Sequence, residues 1–280
     1  MNGFKLRLRD RVLDLSTRTL IMGILNVTPD SFSDGGRFLN AQEAVVHGVR
    51  MAEEGADLLD VGGESTRPGS EPVSVEEESR RVLPVIEGLA KRVNVPLSID
   101  TTKSQVAERA LEAGAALIND TSGLQDDPRI STVAAKNGAA LVLMHRKEAP
   151  KVMQADPRYA DLTGEILAFL RQGIRMAQDV GVGEDQIAID PGIGFGKTLE
   201  HNLYLLKHLT ELSVLGKPIL IGPSRKSFIG RILNLPVEER MEGTAAAVTA
   251  AVLNGAALIR VHDVKEMVRV IRVSDAIRRA

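Results

Sequence analysis

The chain has 280 residues, a hydrophobic fraction of 44% and a formal net charge of −2, enough for one large core and without a global field for nucleic acid or anionic lipid. Aromatic residues make up 3% and cysteine is absent, which argues against base-stacking platforms and excludes disulfides, thiolate nucleophiles and Cys-held metals. No apolar run approaches the ~20 residues of a spanning helix, and the lack of cysteine fits a reducing, cytoplasmic compartment.

The first segment, MNGFKLRLRDRVLDL, alternates charged and apolar residues instead of building a signal-peptide core. Its FKLRLRDRVLDL stretch predicts a short β-hairpin within residues 1–18, turning near Arg9–Asp10 and placed to close the bottom of the domain that follows. From residue 19 onward, short apolar runs predict strands near 20–26, 57–61, 96–100, 116–119, 140–144, 187–190, 219–222 and 257–261. Helical patterns fall between them, and a last helix is expected from about 263 to 278. Four junctions, EEGADLLDV, LEAGAALIND, AKNGAALVLM and LNGAALIRV, join a helix to a strand through Gly55, Gly114, Gly138 and Gly255. A glycine just past a helix is the expected left-handed cap, and the undivided run after it suits a parallel strand buried on both faces. Eight strands alternating with helices favour an α/β fold of the closed (β/α)8 TIM barrel type over an open sheet. No linker or charge block divides the chain, so residues 1–280 read as one domain, hairpin 1–18 and barrel 19–280.

Barrel enzymes carry their chemistry on the loops after the strands. Here polar residues crowd those ends: Asn26, Asp60, Asp100, Asn119, Met144–His145, Asp190, Ser224–Arg225–Lys226 and Arg260–His262. Asp100, Asn119 and Asp190 make a ring of acceptors and donors suited to a flat heterocycle bearing amide and amino groups, although a single strand-end Asp is as readily a helix cap. The loops VTPDSFSDGGRFLN and GGESTRPGS are rich in Gly, Ser and Pro, and the second brings Arg67 as a fork for an anion. DPGIGFGKT is neither a Walker A loop, because Pro191 stands where its first glycine belongs, nor a dinucleotide loop, because Lys197 stands where the third does. Arg225, Lys226, Arg260 and His262 follow strands seven and eight, the usual phosphate site of such barrels. Arg225 as a structural ion pair and His262 as a cap are the plainer alternatives. His201, His208 and His47 read as surface or unpartnered helical residues, and no HExxH or His/carboxylate cluster points to a protein-held zinc.

NVTPDSFSDGG, GGESTRPGS, DPGIGFGKT and GPSRKSFIG stand in that order along the chain, and in this the sequence resembles the dihydropteroate synthases, pterin-binding barrel transferases of folate biosynthesis and sulfonamide targets. The resemblance implies condensation of a 7,8-dihydropterin bearing CH2-O-diphosphate with 4-aminobenzoate, giving 7,8-dihydropteroate and diphosphate. It implies that Asp100, Asn119, Met144, Asp190 and Lys226 hold the pterin, and that Asn26, Thr66, Arg260 and His262 hold the diphosphate, with Asn26 on a bound Mg2+. Thr66, Pro68, Phe195, Lys226 and Ser227 would line the aminobenzoate pocket. Asp34 and Arg67 would order the first two loops over the site and, with Asp100 and Lys226, make up the catalytic set. It further implies a homodimer through outer-wall helices, with small molecules as the substrates and neither nucleic acid nor membrane as partner. One departure stands out: after Met144–His145 the family's small Gly-Thr-Pro turn is replaced by Arg146–Lys147–Glu148–Ala149–Pro150. The rival readings are a methyltetrahydrofolate–corrinoid methyltransferase, a non-catalytic pterin-binding paralogue and a generic sugar-phosphate barrel.

Overall fold

The structure is a computed structural model that describes residues 3–28, 37–65, 70–148, 153 and 157–280, without the side chains of 37–40. Chain alternation produces the hairpin as expected. Strands β1 (Lys5–Arg7) and β2 (Val12–Asp14) pair antiparallel, with Leu6 opposite Leu13, and the turn closes on a bond from the Leu8 N–H to the Arg11 carbonyl.

The barrel then alternates strand and helix: β3 (Leu20–Asn26), α1 (Arg37–Glu53), β4 (Leu58–Gly62), α2 (Val75–Ala90), β5 (Leu97–Asp100), α3 (Ser104–Glu112), β6 (Leu117–Asp120), α4 (Arg129–Asn137) and β7 (Ala140–Met144). It continues through α5 (Leu162–Asp179), β8 (Ile187–Asp190), α6 (Leu199–Lys207), β9 (Leu220–Ile221), α7 (Ser227–Leu233), α8 (Met241–Leu253), β10 (Leu258–Val261) and α9 (Val264–Arg279). All pairings among β3–β10 are parallel, in the order β8-β7-β6-β5-β4-β3-β10-β9. A parallel bridge between Ile189 and Ile219 brings the two ends of that order together. The expected strand at 219–222 is reduced to two residues. Between β9 and β10 the chain makes two helices, because Asn234 takes a left-handed conformation (φ 55°) and Pro236 follows it. The four junction glycines all have positive φ, but only Gly138, at 64°, is itself the left-handed cap.

Two apolar layers result. Ile21, Leu59, Ile99, Ile118, Leu141, Ile189 and Ile259 face the helices, and Met22, Leu58, Leu117, Val142, Ala188, Leu220 and Leu258 fill the barrel's interior from below. Leu6 and Leu8 of the hairpin belong to the interior cluster, so the hairpin plugs the bottom. Side chains alternate across a strand, and so the interior column continues two residues further on in each. Leu58 gives way to Asp60, Ser98 to Asp100, Leu117 to Asn119, Val142 to Met144, Ala188 to Asp190 and Leu258 to Arg260. The same face that makes the core below makes a polar floor above.

Leu6 is fully buried whereas Val12 is 53% exposed. Leu6→Ala should therefore lower unfolding free energy by ~2–5 kcal/mol while Val12→Ala stays near neutral, as read by urea denaturation.

Candidate active site

The centre of the polar floor is Asp60, 0% exposed. It accepts from Ser98 Oγ (2.5 Å), Asn119 Nδ2 (2.9 Å) and Arg260 Nε (2.6 Å). Arg260 reaches on through Nη2 to Asp100 Oδ2 at 2.8 Å, so one guanidinium joins β10 to both β4 and β5. Register makes this possible: Arg260 lies beside Met22, Met22 beside Leu58, and Asp60 beside Ser98. Only two of the five N–H donors of Arg260 are used in these bonds. Burial opposes its charge, but Asp60 and Asp100 hold it above the ordinary guanidinium range.

The carboxylates pay a desolvation cost in proton affinity. Burial pushes Asp100 up to about 7 against the pull of Arg260. Burial pushes Asp190 up to about 6 against the bond its Oδ1 accepts from the Gly192 N–H at 2.7 Å. Lys226 is driven down to about 8 by desolvation and by Arg260, with Asp190 and Asp100 opposing. These groups trade charge across the mouth of the barrel, so small changes in what binds there shift all of them.

Phe195 lies under Lys226, whose Nζ is 3.9 Å from the ring centroid, and the same ring packs with Met144 and Met153. Gly194 is needed there: its φ is +82°, and a Cβ would come within 2.9 Å of the Lys226 side chain. On the opposite side, His262 Nδ1 is 2.9 Å from Ser224 Oγ, which also accepts from the His262 N–H. Burial, then the charges of Arg260 and Arg225, hold this imidazole down at about 3. It is therefore neutral, with its hydrogen on Nε2 when the Ser224 hydroxyl donates to Nδ1.

Of the residues singled out from sequence, Asp100, Asn119, Met144, Asp190, Phe195, Lys226, Arg260 and His262 end at this mouth. Asn26 closes β3 there as well; a Cβ on Gly62 would sit 3.6 Å from Asn26 Oδ1 and 3.7 Å from Asp100 Oδ2. Ser227 opens α7 beside Lys226 and is exposed. Asp34, Thr66, Arg67 and Pro68 lie outside the described residues. Arg225 resolves in favour of the plainer alternative: it forks onto Asp263 at 3.0 and 2.5 Å. His201 is not simple surface either, since its Nδ1 accepts from the Thr198 N–H and its ring meets Tyr159 edge-on. The charged fifth loop is absorbed locally, Arg146 by Asp126 and Lys147 by Glu165 and the Tyr159 ring. Asp60 and Lys197 were given no role from the sequence. Asp60 was read as one of the strand-end polar residues with no ligand assigned to it, and Lys197 only as the residue that breaks a dinucleotide pattern.

A family model described as pterin binding enzyme matches residues 22–262. Dihydropteroate synthases of Synechocystis and Escherichia coli K12 are 48% and 46% identical over 95% and 94% of this chain, covering 92% and 93% of their own. The chain belongs to the dihydropteroate synthase family. Two solved structures of the family superpose on it almost throughout. The Yersinia pestis synthase with a sulfonamide drug complex has a TM-score of 0.93 at 48% identity, covering 99% of this chain and 100% of its own. The Xanthomonas albilineans synthase with 4-aminobenzoic acid has 0.92 at 45%, covering 99% of each chain. The barrel with its hairpin is thus a fold shared with these relatives.

The two basic neighbours of this mouth should separate cleanly. Arg225→Ala should lower the melting temperature by roughly 2–4 °C and leave pterin binding intact. Lys226→Ala should abolish product formation with little change in melting temperature, checked by calorimetry beside a product assay.

Proposed function

We infer that this chain is a transferase that condenses (7,8-dihydropterin-6-yl)methyl diphosphate with 4-aminobenzoate to give 7,8-dihydropteroate and diphosphate. The observation that carries the reading is the convergence of Asp100, Asn119, Asp190, Lys226 and Arg260 on one floor in a chain close to half identical to the family along nearly its whole length. The methyltransferase and sugar-phosphate readings explain the barrel but not this kinship. A non-catalytic paralogue would be expected to lose Lys226, which is present.

In this reading Asp100, Asn119 and Asp190 read the amino and amide edge of the pterin, and Met144 packs on its face. Arg260 and neutral His262 offer N–H donors to the diphosphate, joined by Thr66. Asn26 is the residue that would hold Mg2+. An ion of this kind takes its remaining ligands from phosphate oxygens and water. When bound, that ion neutralises charge growing on the departing diphosphate. The methylene left behind is an electron-poor centre conjugated to the pterin ring, and Asp100 and Asp190 stabilise that charge in their ionised forms. Phe195, Pro68, Ser227 and Lys226 orient the arylamine, with Asp34 and Arg67 ordering the loops above. An arylamine is already nucleophilic, so orientation rather than a general base is what it needs, and the N–H proton shed as the C–N bond forms leaves to solvent or to the departing diphosphate.

The cysteine-free composition fits the reducing cytoplasm, and among the described residues no helix is long and apolar enough to cross a membrane. A homodimer is supported by exposed Val273 and Ile277 on α9 and Leu253 on α8, apolar side chains left on the outer wall.

The test is to supply the pterin diphosphate, 4-aminobenzoate and Mg2+ and follow dihydropteroate by chromatography. Product only with all three is expected, and pterin binding without turnover would return the protein to the non-catalytic reading. Because Asp100 takes up a proton below about 7, kcat/KM for the pterin substrate should fall as pH drops through the neutral range. A flat profile there would mean that its carboxylate is not required.

A further inference from the structure

Lys197 is left out of the chemistry above, yet it is 2% exposed. Its Nζ lies 3.0 Å from His145 Nδ1 and 3.0 Å from the Phe195 carbonyl. Among the described residues no carboxylate comes within ion-pair distance of it. Its hydrogen-bond acceptors are both neutral, so burial is costly for the charged form, and desolvation drives Lys197 down to about 7 against the pull of Asp190. Mere packing would be served as well by an apolar side chain.

What the ammonium does is geometric. His145 follows β7, and Phe195 stands in the loop after β8. The His145 N–H donates to the Asp190 carbonyl at 2.8 Å, and the Phe195 N–H donates to the Gly192 carbonyl at 3.0 Å. Gly192 is pressed so close that a Cβ would lie 1.9 Å from the His145 carbonyl oxygen and 3.4 Å from Lys197 Nζ. Tyr159 adds a second tie, its hydroxyl donating to the Gly196 carbonyl at 2.7 Å. Lys197 thus grips Phe195 by its carbonyl from beneath while Lys226 rides on the ring above.

We propose that Lys197 is a positioning residue for the aminobenzoate half of the site, acting through Phe195: its buried side-chain amine fastens the fifth loop to the sixth and so fixes the Phe195 ring and the Lys226 amine over it. This rests on the condensation reading given above. Lys197 does not touch substrate, so its removal should be felt at one substrate more than the other.

The experiment is steady-state kinetics of Lys197→Met, Phe195→Ala and the double variant, beside melting temperatures. Loss of the buried charge-assisted bonds should raise KM for 4-aminobenzoate by roughly tenfold and move KM for the pterin diphosphate less than about threefold. In the Phe195→Ala background, Lys197→Met should add less than about twofold, because the ring through which it acts is gone. Should Lys197→Met not accumulate as folded protein, Lys197→Gln carries the same comparison. Equal rises in both KM values, or full effects that multiply in the double variant, would overturn the proposal and leave Lys197 a fold residue. Wild-type protein that makes no dihydropteroate would instead overturn the condensation reading itself, and this proposal with it.

Discussion

A guanidinium held between two carboxylates organises the top of this barrel. Arg260 bonds Asp60 at 2.6 Å and Asp100 at 2.8 Å, and Asp60 in turn orients Ser98 and Asn119. Removing one partner from such a buried set leaves an uncompensated charge, which is far costlier than the set is stabilising. The arrangement is therefore rigid for electrostatic reasons rather than for packing. It fixes the Asn119 amide and one face of Asp100, two of the groups that would read a pterin edge.

Around that centre the charges are finely opposed. Asp100 and Asp190 are pushed up toward neutrality and Lys226 is pushed down toward it, while His262 at the rim is held neutral. Such a site can accept an electron-poor ring and an anionic leaving group side by side, because carboxylates and cationic donors already stand on separate strands. No nucleophile–base pair is needed for the proposed reaction. The design is one of orientation and field.

Much of this was legible in the sequence because strand alternation is a strict rule. Once the apolar runs were placed, Asp100, Asn119, Asp190 and Arg260 had to share the interior column above Leu117, Ala188 and Leu258. The hairpin was legible for the same reason, since Leu6 and Leu8 fall on one face. What stayed hidden depends on contacts between distant strands. Nothing local marks Asp60 as the hub, because its partners come from β5, β6 and β10. Nothing local distinguishes Arg225, which turns back to Asp263, from Lys226 next to it. Lys197 sits in a glycine-rich loop where a surface lysine would look the same. The two helices before β10 were not told apart, because a two-residue β9 and a turn at Asn234 leave little periodic signal.

The central claim is that Asp60, through Arg260 and Asn119, sets the geometry in which pterin is read. The direct measurement is calorimetric titration of a 7,8-dihydropterin into the wild type and into Asp60→Asn, with circular dichroism confirming the fold of each. The account predicts that folded Asp60→Asn binds the pterin about tenfold or more weakly, the loss expected when charge-assisted bonds in a buried network are broken. Equal affinity in the two proteins would contradict it, and the ordering of the site would then have to be sought in the individual pterin-facing residues.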